Sequence, residues 1–198
     1  MKKLIVLLLI ILTACSPKAE NKEIKKEGRV KVNNYSVPEE KKVPQEIEKD
    51  LGYAFTVLYD ASCNRVNNIN IACNKVSGSA LVPGEEFSFN KIVGKRSSST
   101  GFLEAPVLIS GEKETGVGGG ICQVSSTIHM AAVHAGLEIS ERHSHSKKVN
   151  YAPYGLDAAV VYGEKDFKFI NNTPENIYIY VWVADNKIFA KIVKKVLT

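Results

Sequence analysis

The chain has 198 residues, with 26 Lys and Arg against 21 Asp and Glu, and a net charge of +5 at pH 7. A balance this mild, with no basic stripe interleaved with aromatics, argues against nucleic acid as a partner. The four cysteines include no C-x-x-C pair, so a cysteine-bound zinc is not expected, and no motif requires a cofactor.

Residues 1–14 read as an export signal. Lys2 and Lys3 precede the apolar run Leu4 to Leu12, which is too short to span a bilayer, where about 20 residues are needed. Small residues then lead into Cys15, as in the bacterial lipobox, where the cysteine takes a diacylglycerol. A plain secretory signal is the simpler alternative. The expected product is extracytoplasmic and tethered to the membrane by its N-terminal lipid. Residues 15–51 are rich in both charges, poor in large apolar side chains and punctuated by Pro17, Pro38 and Pro44, the composition of a flexible stalk.

Residues 52–198 suffice for one hydrophobic core. Ala54 to Tyr59 reads as a strand, Val66 to Val76 as a helix, Ser77-Gly78 and Pro83-Gly84 as turns, and Ala105 to Ile109 as a short strand followed by a loop. Apolar positions Val124, Ile128, Ala131, Ala132 and Ala135 predict a half-buried helix over 122–135, with Ile121 just outside it and Gly136 as its stop. Strand-like runs follow at 137–141, 148–152, 157–162 and 166–170. Alternation over 177–183 and 188–193 about Asp185-Asn186 predicts a hairpin. The expected fold is α+β, a single domain with one central helix packed on a mostly antiparallel sheet.

Gly118-Gly119-Gly120 leads through Ile121 into Cys122 at the start of that helix. A helix N-terminus favours the thiolate, and glycine lets the backbone approach a substrate closely. Two readings fit: an accessible nucleophile, or a buried structural cysteine at a glycine-rich turn. Cys63 and Cys73 can pair in an oxidising compartment, but a helix over 66–76 sets the two thiols far apart.

A cysteine nucleophile needs a base and the base an orienting group. His129 and His134 lie on the cysteine's own helix and are carried away from the thiol, as surface or boundary side chains. His143 and His145 alternate in a polar segment, and one of them can reach Cys122, unless both are loop-surface histidines. Asp157, opening an apolar run, is a candidate to hold an imidazole, or else a strand-edge carboxylate.

From about Phe55 to Val193 the chain resembles the VanW domain of exported bacterial cell-wall and glycopeptide-resistance proteins. The landmarks are Arg65 with Asn67-Asn68-Ile69, Pro83-Gly84-Glu85, Phe87-Ser88-Phe89-Asn90, Val93-Gly94, Gly101-Phe102 and Gly118 to Ser125. Ala105, Glu141-Arg142, His145-Ser146, Tyr151, Gly155 with Asp157-Ala158, Asp166 and Asn171 complete the set. The resemblance implies a cysteine L,D-transpeptidase of peptidoglycan, acting on stem peptides, with Cys122 as nucleophile and His145 as base. Cysteine before histidine is also the papain-like order, by analogy alone. Arg142 is expected to hold a substrate carboxylate, the Gly118, Gly119 and Gly120 backbone to stabilise an oxyanion, and Gln123, Ser146 and Tyr151 to complete the substrate-facing set. A carboxypeptidase or endopeptidase using the same thiol, and a wall-binding lipoprotein without catalysis, are the alternatives.

Overall fold

A computed structural model describes residues 45–109 and 112–197 of the chain. The signal segment, Cys15 and the stalk as far as residue 44 lie outside the described residues.

The longest strands alternate between buried and outward residues where they cover the core. β1 (Glu46–Val57) opens the domain and β9 (Lys187–Leu197) closes it, and the two pair antiparallel along their length. β8 (Ile177–Ala184) returns through Asp185 and Asn186, whose φ values of 49° and 57° match the left-handed turn that two-residue hairpins favour. With β2 (Ser79–Leu81) these strands form a sheet in the order β1-β9-β8-β2. Its inner face buries Ala54, Ile179, Val181, Ala190 and Ile192, while Tyr53, Phe55 and Trp182 face outward. β1 starts before the predicted domain boundary at residue 52. Its first residues, Glu46 to Asp50, are exposed and pair with the end of β9, where Lys195 meets Glu46 and Lys191 meets Asp50. A ribbon solvated on both faces has the composition of a stalk, and that is why it reads as one.

Two helices cover the inner face. α1 (Cys63–Val76) lies over β8, and α3 (Ile121–His134) over β1 and β9. A register shift in β1 between Asp50 and Gly52 lets α3 come close: a Cβ on Gly52 would stand 2.1 Å from the Ala131 carbonyl oxygen. A short helix, α2 (Phe89–Val93), follows β3 (Glu86–Ser88), which pairs with β7 (Lys168–Ile170); β7 in turn pairs with β6 (Glu138–Glu141). Phe87, Phe89, Phe167 and Phe169 fill the space between this small sheet and the helices. The molecule is therefore α+β, with few helices on antiparallel sheets.

Four local expectations are corrected. The loop expected after residue 109 is the second strand of a hairpin, β4 (Glu104–Ile109) with β5 (Glu112–Val117). Segments 148–152 and 157–162 are not strands, apart from an isolated bridge between Val161 and Lys165. α3 is buried on nearly every side, including Ser125, Ser126, Thr127 and His129, rather than on one face, and Ile121 lies inside it. Cys63 and Cys73 are free thiols, ten positions apart on one helix. A rise of about 1.5 Å per residue holds them far beyond bonding distance. Burial pushes the Cys73 thiol up to about 12, so it is an inert core residue.

Candidate active site

α3 begins where Gly120 takes φ 105°. Each glycine before it answers to a neighbour within the protein. A Cβ on Gly118 would stand 3.0 Å from the Arg96 side chain, one on Gly119 2.5 Å from the Pro106 carbonyl oxygen, and one on Gly120 3.0 Å from Arg65. The run thus seats the helix start against β4 and two arginine stems, where substrate contact was expected. Cys122 is the second residue of the helix, half-buried, between Ile121 and Gln123, whose N–H groups donate to the Gly118 and Gly120 carbonyls at the positive end of the helix.

The polar side chains of α3 explain why 157–162 is not a strand. Ser125 Oγ donates to the Ala158 carbonyl at 2.7 Å, and Ser126 Oγ accepts the Ala158 N–H at 2.9 Å. His129 Nδ1 donates to the Leu156 carbonyl at 3.0 Å. The segment lies along the helix, its backbone satisfied by side chains where a sheet would use a partner strand. Its Val160 N–H points at the Cys122 sulfur at 3.5 Å. His129 is accordingly buried, not a surface or boundary side chain, and burial holds its pKa below the ordinary imidazole value.

Asp157 hangs from the same segment and faces the 142–146 loop. Its Oδ2 accepts both the His145 backbone N–H and His145 Nδ1, each at 2.7 Å. With Nδ1 committed, Nε2 is the ring nitrogen left to act on Cys122, and hydrogen bonding and charge from this imidazole are what lower the thiol pKa. The three residues form a chain from carboxylate to imidazole to thiol.

Electrostatics follow from this placement. Burial opposes ionisation of Cys122, but the His145 hydrogen bond, the Val160 N–H and the charges of His145 and Arg96 outweigh it and hold the thiol below its ordinary range. Burial likewise disfavours charge on His145, yet Cys122 and Asp157 raise its pKa. For Asp157, burial is outweighed by the two His145 N–H bonds, and the carboxyl stays below its usual range. Thiolate and imidazolium each favour the charged form of the other.

Tyr151 completes this corner. Its Oη lies 3.4 Å from His145 Nε2, its ring meets the imidazole edge-on, and Ser126 acts on its hydroxyl from the helix. Burial pushes the phenol pKa well up, so it remains a neutral donor. Ser126 was not singled out in the sequence, although its position four residues after Cys122 places it on the same helix face.

Other expected residues stand elsewhere. Arg142 turns one nitrogen toward Asp157: its Nη1 donates to the Asp157 carbonyl at 2.8 Å and lies 3.6 Å from Asp157 Oδ1. Gln123 is buried, its Oε1 accepting from Arg65 Nη2 at 2.8 Å and its Nε2 donating to the Val57 carbonyl at 2.8 Å and Thr56 Oγ1 at 3.1 Å. Both N–H bonds of that amide are taken up, so none remains for an oxyanion. Ser146 is exposed next to His145. His143 turns away, donating from Nε2 to Glu141 Oε1 at 2.9 Å. Arg96, which acts electrostatically on Cys122, had no local signal in its Ser-rich surroundings. Among the described residues, no group of three His, Cys, Asp or Glu side chains is placed to hold a metal ion.

Residues 64–193 match the family described as VanW like protein. The chain belongs to this family. It is 41% identical over 131 residues to the YoaR protein of Bacillus subtilis (strain 168), covering 66% of this chain and 43% of that one. It is 30% identical over 143 residues to the vancomycin B-type resistance protein VanW of Enterococcus faecalis (strain ATCC 700802 / V583), covering 70% of this chain and 51% of that one. This VanW-like chain thus spans about half the length of the curated relatives it matches. No solved structure matches it.

Proposed function

We propose that this VanW-like chain is a cysteine acyltransferase of the bacterial cell envelope, an L,D-transpeptidase that joins peptidoglycan stem peptides outside the cytoplasm while tethered through Cys15. The observation that carries the reading is the Asp157–His145–Cys122 chain, with the sulfur at a helix N-terminus. A relative named for vancomycin resistance agrees with a cell-wall substrate.

The Cys122 thiolate attacks the carbonyl carbon of the third residue of a donor stem. The backbone N–H of Cys122, at the positive end of the helix, holds the developing oxyanion. As the bond to the terminal D-alanine breaks, its nitrogen takes the proton from His145 Nε2 and a thioester remains. The side-chain amine of a neighbouring stem then attacks the thioester and returns a proton to Nε2. The C–S bond breaks, the thiolate is regenerated, and a 3-3 crosslink has formed. Asp157 keeps the imidazole oriented through both steps, and Tyr151 flanks Nε2 without taking up charge.

Incubating the purified chain with disaccharide tetrapeptides and separating the products tests this reading. Crosslinked dimers together with free D-alanine are expected, and neither from Cys122→Ala. D-alanine without dimers would make the enzyme a carboxypeptidase, and dimers from Cys122→Ala would overturn the reading.

A further inference from the structure

The proton that acyl transfer moves has one nitrogen to leave from and return to. His145 Nδ1 is held by Asp157 Oδ2 at 2.7 Å, so Nε2 is the exchanging atom. Tyr151 Oη stands 3.4 Å from Nε2, and the phenol ring meets the imidazole edge-on at 84°. That separation exceeds the roughly 2.7–3.2 Å of an ordinary hydrogen bond, so the oxygen keeps the capacity to accept from a third group. The phenol stays neutral, because burial disfavours its charged form. With Lys148, Asn150 and Pro153 the same tyrosine lines an open cavity of about 590 Å³, which puts it within reach of a peptide from outside.

We propose that Tyr151 is a further catalytic residue, whose oxygen accepts an N–H of the nitrogen that leaves the donor and of the nitrogen that attacks the thioester. This assignment rests on the function proposed above. As the donor C–N bond breaks, its nitrogen takes the Nε2 proton while still carrying the N–H it had as an amide. It must stand about 3 Å from Nε2 to do so, which brings that remaining N–H to the side where Oη stands. The His145 side chain is only 8% exposed, so water is scarce there and an N–H without a protein acceptor is costly. Oη accepts it, and Tyr151 neither gains nor loses a proton. The second step runs in reverse. The amine lone pair forms the new C–N bond, one N–H proton goes to Nε2, another N–H bonds Oη, and the C–S bond breaks.

The test measures the rate of acylation of the full-length chain by intact mass spectrometry. Two donors are compared, a disaccharide tetrapeptide ending in D-alanine and the same molecule ending in D-lactate. Both leaving groups need the Nε2 proton, but the ester oxygen carries no hydrogen for Oη to accept. The amide-to-ester rate ratio is expected to fall about 5- to 100-fold in Tyr151→Phe, the range of an unmet buried N–H. A tyrosine that only steadies its loop or the imidazole would slow both donors alike, so an unchanged or raised ratio overturns the assignment. In the wild type, methylating the nitrogen of the bond to be broken should slow acylation by about 5-fold or more. Equal rates with and without that methyl group overturn the assignment alone, whether or not the variant folds. A wild type that acylates with neither the D-alanine nor the D-lactate donor overturns the proposed function and this assignment with it.

Discussion

One carboxylate oxygen, Asp157 Oδ2, receives both the main-chain N–H and the ring Nδ1 of His145 at 2.7 Å. The backbone bond fixes where the residue sits and the ring bond fixes which nitrogen carries the proton. Replacing Asp157 with Asn removes the charge and offers an N–H where an acceptor is needed. Turnover of Asp157→Asn should fall about 10²- to 10⁴-fold, the range of a lost general acid–base contribution. D-alanine release checks this.

The thiol and imidazole shift each other in opposite directions, which sets the pH dependence. Reactivity of Cys122 toward iodoacetamide, followed on its own peptide because Cys63 is also exposed, should show a midpoint below the ordinary 9.0. In His145→Gln the stabilising bond and charge are gone while burial remains, so the midpoint should rise above the wild-type value. The rate of acyl transfer should rise as Cys122 ionises and fall once His145 loses its proton.

Glu141 binds Lys168 at 2.8 Å, accepts from His143, and takes the Asp166 N–H at 2.9 Å. With the Lys168 bond the largest cause, its pKa falls from 4.5 to about 2. A carboxyl depressed on folding stabilises the folded state above its unfolded value, and that contribution disappears as pH falls through the folded one. Glu141→Gln should therefore melt slightly below the wild type near neutral pH, with the gap closing between pH 4.5 and about 2. The partners are partly exposed, so the difference is small.

Gly119 has the backbone of β4 where a side chain would go, with the Pro106 carbonyl oxygen 2.5 Å from an added Cβ. Gly119→Ala should cost about 1–3 kcal/mol in denaturant unfolding. Because the displaced strand and helix start carry the thiol, activity should fall in the variant that still folds.

Much of the fold is legible in the chain. Alternation gives away the β8–β9 hairpin, and the apolar spacing after Cys122 marks the helix. The cysteine, histidine and carboxylate are likewise nameable as residue types that need one another. What escapes is where polar groups find partners. Residues 157–162 look like a strand because they are apolar, yet Ser125 and Ser126 take up their backbone and lay them along α3. His129 reads as a surface or boundary side chain and the two serines carry no signal of their own, and only the tertiary fold shows that all three are the fasteners. Arg142 and Arg96 are alike in sequence. Only the fold shows that Arg142 braces Asp157 while Arg96 holds Asn90 and lies over Phe89.

The most direct test of a reactive Cys122 is the covalent intermediate itself. Intact mass spectrometry of the chain mixed with a disaccharide tetrapeptide should show a gain equal to the donor less D-alanine. Peptide mapping should place that gain on Cys122, and it should disappear when an acceptor amine is added. An unmodified wild-type mass, or an adduct that persists in Cys122→Ala, would contradict the account.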